Sequence, residues 1–381
     1  MTTTHRLVSR LVCAAIVIFG MSVTGETSHA KELKISLGLG PKHPLADAGY
    51  GAFNEVVERE TNKSLVPKMF LSGALLSIKA SLTGLKDGIA DVSQIVYSNH
   101  PAELRALQVI TELSNLGKEN AATAGASTEF AMLQCGQCQV EMASNGVVQL
   151  SGHAGPPYAI ISKTKITSLA DIAGKKIRSG GGSFSQWVKY VGATDVNMTT
   201  DDMYQAFSSG VIDVGVQTPV SARTLSFWDI AKHITELPIG IISGVSAFSV
   251  SQGTWRGLTS TERAALVKGA SAGVNAVIKA YDAETGSIYG PAKEKGVQFY
   301  RPDADLLAKT RQFDQEHAMN VAGLLKEKYN IQDADRLVGI YAQLVDKWTT
   351  LMAPIKSDYG AIQATFDREI YSKLDVARWG M

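Results

Sequence analysis

Beyond residue 30 the hydrophobic positions fall into short blocks that switch between two periods. "ELKISLGLG" alternates apolar and polar residues as a half-buried strand does, whereas "HPLADAGYGAFNEVVERET" spaces Phe53, Val56 and Val57 onto one helical face. "LVPKMF" predicts another strand, Leu76 to Lys86 a helix, and "DVSQIV" a buried strand. Strands that alternate with helices at this spacing predict a parallel or mixed sheet covered by helices, an α/β architecture.

The pattern then repeats. "LKDGIADVSQ" orders Gly88, Asp91 and Val92 as helix end, turn and strand, and "FSSGVIDVGVQ" orders Gly210, Asp213 and Val214 the same way. Glycine ends helices well and aspartate suits the turn before a strand, so a shared G-x-x-D-V fits two similar α/β lobes. Between the copies, "SGHAGPPYAIIS" suits a crossing from one lobe to the other, and "LPIGIISGVSAFSVS" suits the return strand. Thr259 and Glu262 stand at capping-box spacing and predict the start of a long helix. "DADLLAKTRQFDQEHAMNVAGLLKEKY" and "DADRLVGIYAQLVDKWTTLM" read as further helices before a polar tail.

Length and composition narrow the class. A chain of 381 residues with 45% hydrophobic content supports two ordinary cores, and a net charge of +1 supplies no field for nucleic acid. A charged ligand must therefore be recognised locally. Arg6 and Arg10 precede the apolar stretch Leu11 to Val23, and "SHA" ends at Ala30, which predicts a cleaved secretory signal peptide over 1–30. The apolar run falls short of the about 20 residues that a membrane span needs. Cys13 would be lost with the leader. The remaining cysteines, Cys135 and Cys138 in "CGQC", read as a local disulfide in an oxidising compartment; a redox site lacks the expected flanking residues, and a zinc half-site lacks a second pair.

Chemistry concentrates at "KKIRSGGGSFSQWVKYVGA", where Arg178 and three glycines join a strand to a helix. A phosphate loop would need G-x-x-x-x-G-K-[ST], and here no lysine follows the glycines. A dinucleotide fingerprint is absent as well. A serine hydrolase is an alternative, since "GGSFS" approaches G-x-S-x-G and Asp213 and His233 follow Ser183 in suitable order; Ser185 stands where the last glycine belongs. Metal catalysis finds no H-E-x-x-H spacing among His43, His100, His153, His233 and His317. An anion grip remains: a planar guanidinium at a strand end, beside the free amides of a helix starting near Ser183. The competing reading pairs Arg178 with an acidic neighbour and leaves the glycines to tighten a turn.

The order of "SLADIAGKKIRSGGG", "VGATDVNMTTDDMYQAFSSGVIDVGVQTP" and "SVSQGTWRGLTSTERAALV", with the earlier "LKDGIADVS", resembles the substrate-binding proteins of tripartite ATP-independent periplasmic (TRAP) transporters, DctP type. The resemblance covers nearly the whole chain after residue 30. It implies a two-lobed periplasmic-binding-protein fold, type II-like, with mixed sheets, crossing hinge strands and a long bracing helix. Lobe one would take 31–155 and 244–285; lobe two would take 156–243 and 286–381 with the C-terminal helices. It also implies a periplasmic protein without cofactor or catalysis that delivers an organic anion to a membrane permease. A receptor that presents its ligand to a sensor would share this sequence pattern.

Residue by residue, the resemblance makes Arg178 the carboxylate anchor and nominates Gln217 and Thr218 from "VGVQTP". Tyr97 and Tyr158 come from "SQIVYS" and "PPYAII", Lys42 and His43 from "GPKHP", and the amides from Ser183 onward add donors. Sialic-acid binders of this family place a second arginine where Tyr158 falls and an acidic residue near Tyr97. Their absence argues against a sugar acid, and the tyrosines favour a flatter, aromatic or less polar carboxylate or sulfonate. Trp187 is assigned to the lobe interior.

Overall fold

The structure, a computed structural model, describes residues 30–381, so the predicted leader falls outside the described residues except for its last position. No helix among them is long and apolar enough to cross a membrane. The first five strands are β1 (Lys31–Ser36), β2 (Leu65–Phe70), β3 (Val92–Val96), β4 (Val147–Gln149) and β5 (Gly152–His153). Then come β6 (Ala159–Ser162), β7 (Lys176–Ser179), β8 (Thr194–Asn197), β9 (Val214–Gln217) and β10 (His233–Thr235). β11 (Val245–Ser251) and β12 (Gln298–Tyr300) complete the set.

These strands form two mixed sheets, one per lobe. The first has the order β2-β1-β3-β11-β4, with β5 also on β11; the second has the order β12-β10-β6-β9-β7-β8. β1 lies parallel to β2 and β3, and β7 lies parallel to β8 and β9, so each lobe is built on a three-stranded parallel unit. The return strand β11 enters the first sheet antiparallel, and all seven of its residues are buried. That uninterrupted burial explains why its polar positions are small, uncharged serines.

The lobes are joined by crossing segments that pair with each other. Tyr158 N donates to Gly240 O at 2.9 Å, Gly155 N donates to Ile242 O at 3.3 Å, and Pro157 bridges Ile241. The helix Ser260–Ser287 braces both lobes, and its predicted capping box forms: Thr259 Oγ1 accepts from Glu262 N while Glu262 Oε2 accepts from Thr259 N. It packs along the helix Tyr50–Glu60 of lobe one, where Phe53 stacks on Phe248 at 4.9 Å. Near its other end Glu284 pairs with Arg223 of lobe two at 2.6 Å.

The C-terminal helices divide differently from the expected boundary. The helix Ala304–Tyr329 starts on lobe two, where Trp187 Nε1 donates to Thr310 Oγ1 at 3.1 Å, so Trp187 is interior. Its last turn reaches lobe one, where Tyr329 Oη donates to the buried Glu112 at 2.6 Å. The helix Ala334–Met352 lies wholly on lobe one, with Trp348 Nε1 and Lys347 Nζ both donating to Glu129 Oε2 at 2.7 Å. Trp379 in the tail caps Gln149 O at 3.0 Å. Thus the last part of 286–381 belongs with lobe one, because a carboxylate buried there needs donors that only these helices bring.

Cys135 and Cys138 are joined by a disulfide with a Cα separation of 5.2 Å, and both side chains are fully buried. Burial leaves neither sulfur at a surface where a redox partner could attack it.

Candidate functional site

β7 carries Arg178 at the edge of the cleft and buries it to 3% exposure. Nε donates to Met198 O at 3.0 Å, Nη1 to Val216 O at 3.2 Å and Nη2 to Thr200 Oγ1 at 3.2 Å. These three bonds leave two of the five guanidinium N–H groups, with the Tyr158 hydroxyl as a neutral neighbour in hydrogen-bonding reach of the guanidinium. No carboxylate of the described residues lies within salt-bridge distance: Asp195 accepts from Ser179 Oγ at 2.6 Å and Asp202 from Thr199 Oγ1 at 2.7 Å. The acidic pairing weighed from the sequence is therefore not made. Burial pushes the Arg178 pKa below its ordinary value, and Tyr158 followed by the more distant Asp201, Asp195 and Asp202 pulls it part of the way back.

The glycine turn does a different task from the one its composition suggests. Gly182 has φ 59°, and a Cβ there would overlap the carbonyl oxygen of Thr111 in lobe one. Ser98 Oγ, also of lobe one, donates to Gly180 O at 2.8 Å. The turn thus forms a seam between the lobes. Ser183, which opens the helix Ser183–Tyr190, is buried to 1% exposure with no partner for its hydroxyl. His233 pairs instead with Tyr300 Oη at 2.8 Å, and Asp213 accepts from Lys176 N at 3.0 Å, so no Ser-His-Asp relay is assembled.

Between the lobes lies a cavity of about 70 Å³. Lobe two contributes Tyr158, Thr200, Gln217, Thr218 and Ser221. Tyr158 stacks on Phe184 at 4.6 Å; burial pushes its pKa up to about 12, against the pull of the neighbouring Arg178. Gln217 Nε2 donates to Thr200 Oγ1 at 3.3 Å and its Oε1 accepts from Thr218 N at 2.8 Å, so this amide is held by the same threonine as the guanidinium. Thr218 caps the helix Pro219–Thr224, its Oγ1 accepting from Ser221 N at 3.0 Å and donating to Ser221 Oγ at 2.9 Å.

Lobe one and the long helix supply a second polar group. His43, His153 and Tyr281 line the same cavity, with Gln94 beside them. Burial lowers the His43 pKa to about 4 and that of His153 to about 3, so both rings are neutral near pH 7. The rest of the wall is apolar, chiefly Leu39, Leu45, Ile78 and Ile242, and no lysine, arginine, aspartate or glutamate lines it.

Of the sequence-nominated residues, His43, Tyr158, Gln217 and Thr218 meet at the cavity, and Arg178 stands behind its lobe-two wall through Thr200. Three others do not reach it. Tyr97 is buried in lobe one near Gln149 and Tyr341, because the chain turns into a helical turn there and Gln108 Nε2 holds its carbonyl at 2.8 Å. Lys42 is exposed, and Ser183 is enclosed behind the glycine seam. The polar cavity residues that the sequence did not nominate are His153, Tyr281, Gln94, Thr200 and Ser221. Tyr281 had one usable signal: a hydroxylated aromatic continuing the buried stripe Val274, Val277 and Ile278 of the long helix. A larger groove of about 520 Å³ lies between Met132, Val140 and the C-terminal Trp379 and Met381, remote from the crossing segments and without any of these groups. Among the described residues no cluster of three or more His, Cys, Asp or Glu side chains is placed to hold a metal.

Two α/β lobes, paired crossing segments and a polar cleft backed by a buried arginine without an acidic partner define a two-lobed binding-protein fold. Residues 36–321 match the family model of the DctP proteins, bacterial extracellular solute-binding proteins of family 7, and the chain belongs to that family. Solved structures agree in fold. A TRAP solute-binding protein from a marine metagenome, an unidentified microbe, specific for aromatic acid ligands and solved with metahydroxyphenylacetate, superposes with a TM-score of 0.73 at 18% identity, over 83% of this chain and 99% of its own. A TRAP periplasmic solute-binding protein of Bordetella bronchiseptica with bound mandelate gives 0.69 at 19% identity, over 83% and 99%. An extracytoplasmic solute receptor of Bordetella pertussis that binds pyroglutamic acid gives 0.67 at 18% identity, over 82% and 99%.

Proposed function

We propose that this protein captures a small organic anion in the interlobe cleft and hands it to a TRAP-type membrane permease, acting in the periplasm after removal of its leader and catalysing no reaction. The observation that carries the reading is Arg178: a buried cation whose partners are all neutral, with no carboxylate within salt-bridge reach. An unpaired buried charge is costly, and an anionic guest supplies the missing partner only when it is bound. Arg178 then anchors the carboxylate, with Tyr158, Gln217 and Thr218 shaping the wall around it and His43 facing them. Tyr97, Lys42 and Ser183 are left without a ligand role. The solved relatives named above bind carboxylic acids, which supports this ligand class.

Native mass spectrometry of the purified protein, followed by a thermal-shift screen of carboxylates and sulfonates, identifies the guest. Calorimetry then compares the best carboxylate with its uncharged amide. The reading expects the amide to bind at least about a hundredfold more weakly, as loss of one partner of an enclosed charge pair demands. Equal affinities would remove Arg178 as anchor. Capture by two hinged lobes also predicts a smaller radius of gyration on saturation in X-ray scattering.

A further inference from the structure

The cleft is chemically one-sided. The guanidinium of Arg178 stands behind the lobe-two wall, bonded to the lining residue Thr200, while the lobe-one side presents His43 and His153 with Tyr281 from the long helix. His43 Nδ1 accepts from Leu45 N at 3.2 Å, which places the single ring proton on Nε2. Nε2 lies 3.4 Å from Tyr281 Oη, so the tyrosine oxygen accepts there and its own proton remains to be donated. The Tyr281 ring stacks on His153 with centroids 5.8 Å apart, and His153 is only 5% exposed. Its Nδ1 is buried without any hydrogen-bond partner in the protein. A buried polar atom is normally paired, so a lone one in a cavity wall marks a place where something else bonds.

We propose that His43, Tyr281 and His153 form an uncharged hydrogen-bonding subsite that selects a monocarboxylate carrying a hydroxyl or carbonyl group away from its carboxylate, and rejects a dicarboxylate. The inference rests on the anion reading above. Tyr281 donates to the oxygen of that distal group, and His153 Nδ1 takes or gives the second bond according to its tautomer. A second carboxylate would be buried among neutral rings and aliphatic side chains, with Arg178 already engaged by the first. The structure thus divides recognition between the lobes: lobe two reads charge and lobe one reads polarity.

Two matched series test this by calorimetry at pH 7.5: benzoate, 3-hydroxybenzoate and isophthalate, and butyrate, 4-hydroxybutyrate and succinate. In the wild type at least one hydroxy acid should bind roughly three- to tenfold more tightly than its parent acid, the yield of one added neutral hydrogen bond. The matching dicarboxylate should bind at least about a hundredfold more weakly than that hydroxy acid. In Tyr281→Phe, which keeps the ring, and in His153→Leu, the ratio of hydroxy acid to parent acid measured within each variant should fall towards one. Melting of the unliganded variants checks that both remain folded, and if one does not, the other decides. A dicarboxylate that binds within threefold of the hydroxy acid overturns the subsite, as does a hydroxy-acid preference that survives in a folded variant. Those results leave the anion reading standing. If no member of either series binds the wild type, the small-carboxylate reading fails and the subsite fails with it.

Discussion

The two lobes solve one folding problem with the same local device and then diverge at a single register position. In lobe one, Gly88 at φ 70° ends a helix, and Asp91 exchanges two bonds with Lys34 of β1: Lys34 N to Asp91 Oδ2 at 2.7 Å and Asp91 N to Lys34 O at 2.8 Å. In lobe two, Gly210 at φ 73° ends a helix, and Asp213 makes the same exchange with Lys176 of β7 at 3.0 and 2.9 Å. The registers correspond as well, Ile35 facing Val92 and Ile177 facing Val214. One residue further on, Ser36 stands where Arg178 stands in the other lobe. Ser36 Oγ accepts from Leu76 N at 3.0 Å and closes a local backbone account. Arg178 instead holds a buried charge whose partners are all neutral. The position at the carboxyl end of the central parallel strand is thus free to vary without disturbing the scaffold, in keeping with the habit of open α/β sheets to bind ligands at that edge.

Exchanging roles at that position gives the largest effect. Arg178→Ala should weaken carboxylate binding by about 3–5 kcal/mol, roughly a hundred- to several-thousandfold, in calorimetry. Ser36→Ala should leave affinity within about threefold and lower stability by about 1–3 kcal/mol, because it strands a buried backbone N–H. A large affinity loss in Ser36→Ala would mean that the lobes are not divided in this way.

Acid sharpens the contrast next, since the buried cleft histidines belong to lobe one. The native pKa values of His43 and His153, about 4 and about 3, lie below the ordinary value of 6.5, so the unfolded chain binds protons that the native state refuses. Stability is unaffected above pH 6.5, falls as pH drops below it, and the loss is complete only beneath the native values. At pH 5.0 the penalty should reach about 2 kcal/mol for His153, the more deeply buried of the two. Denaturant melts of wild type and His153→Leu at pH 7.5 and 5.0 should differ in pH response by that amount. Parallel responses would show that His153 titrates normally.

The aspartate latches come third. Asp213→Ala should cost about 1–2 kcal/mol in urea unfolding. Asp91→Ala should cost more, because Asp91 also accepts from Thr254 Oγ1 at 2.6 Å and so ties in the segment after β11. The smallest effects should come from Gly88→Ala and Gly210→Ala. Both glycines hold left-handed backbone with open space around the missing Cβ, so each should lose about 1 kcal/mol, and the two losses should agree. Unequal losses would reveal a difference in the helix ends that the geometry does not contain.

The features legible in the sequence are those whose causes lie within a few residues. The capping box of the long helix, the paired G-x-x-D-V turns, the glycine-rich exit of β7 and the arginine just before it all follow from local backbone and side-chain chemistry. The crossing segments were visible for the same reason, as glycine and proline beside apolar runs. The assignments that changed depend on distant partners. Tyr97 follows a strand of the cleft region yet turns inward, and the helix Ala334–Met352 joins lobe one because Glu129, more than two hundred residues earlier, lies buried beneath Trp348.

Sequence alone therefore determined the α/β class, the two similar lobes, the family and the strand end that carries a cation, because period, turn chemistry and motif order are written along the chain. Only the tertiary structure decided that Arg178 is left without an acid, that the glycines form a seam between lobes, and that His43, His153 and Tyr281 share one wall. Those facts concern which surfaces meet when two lobes and a long helix close on one another. Such meetings are set by packing over long separations and leave no local periodicity to read.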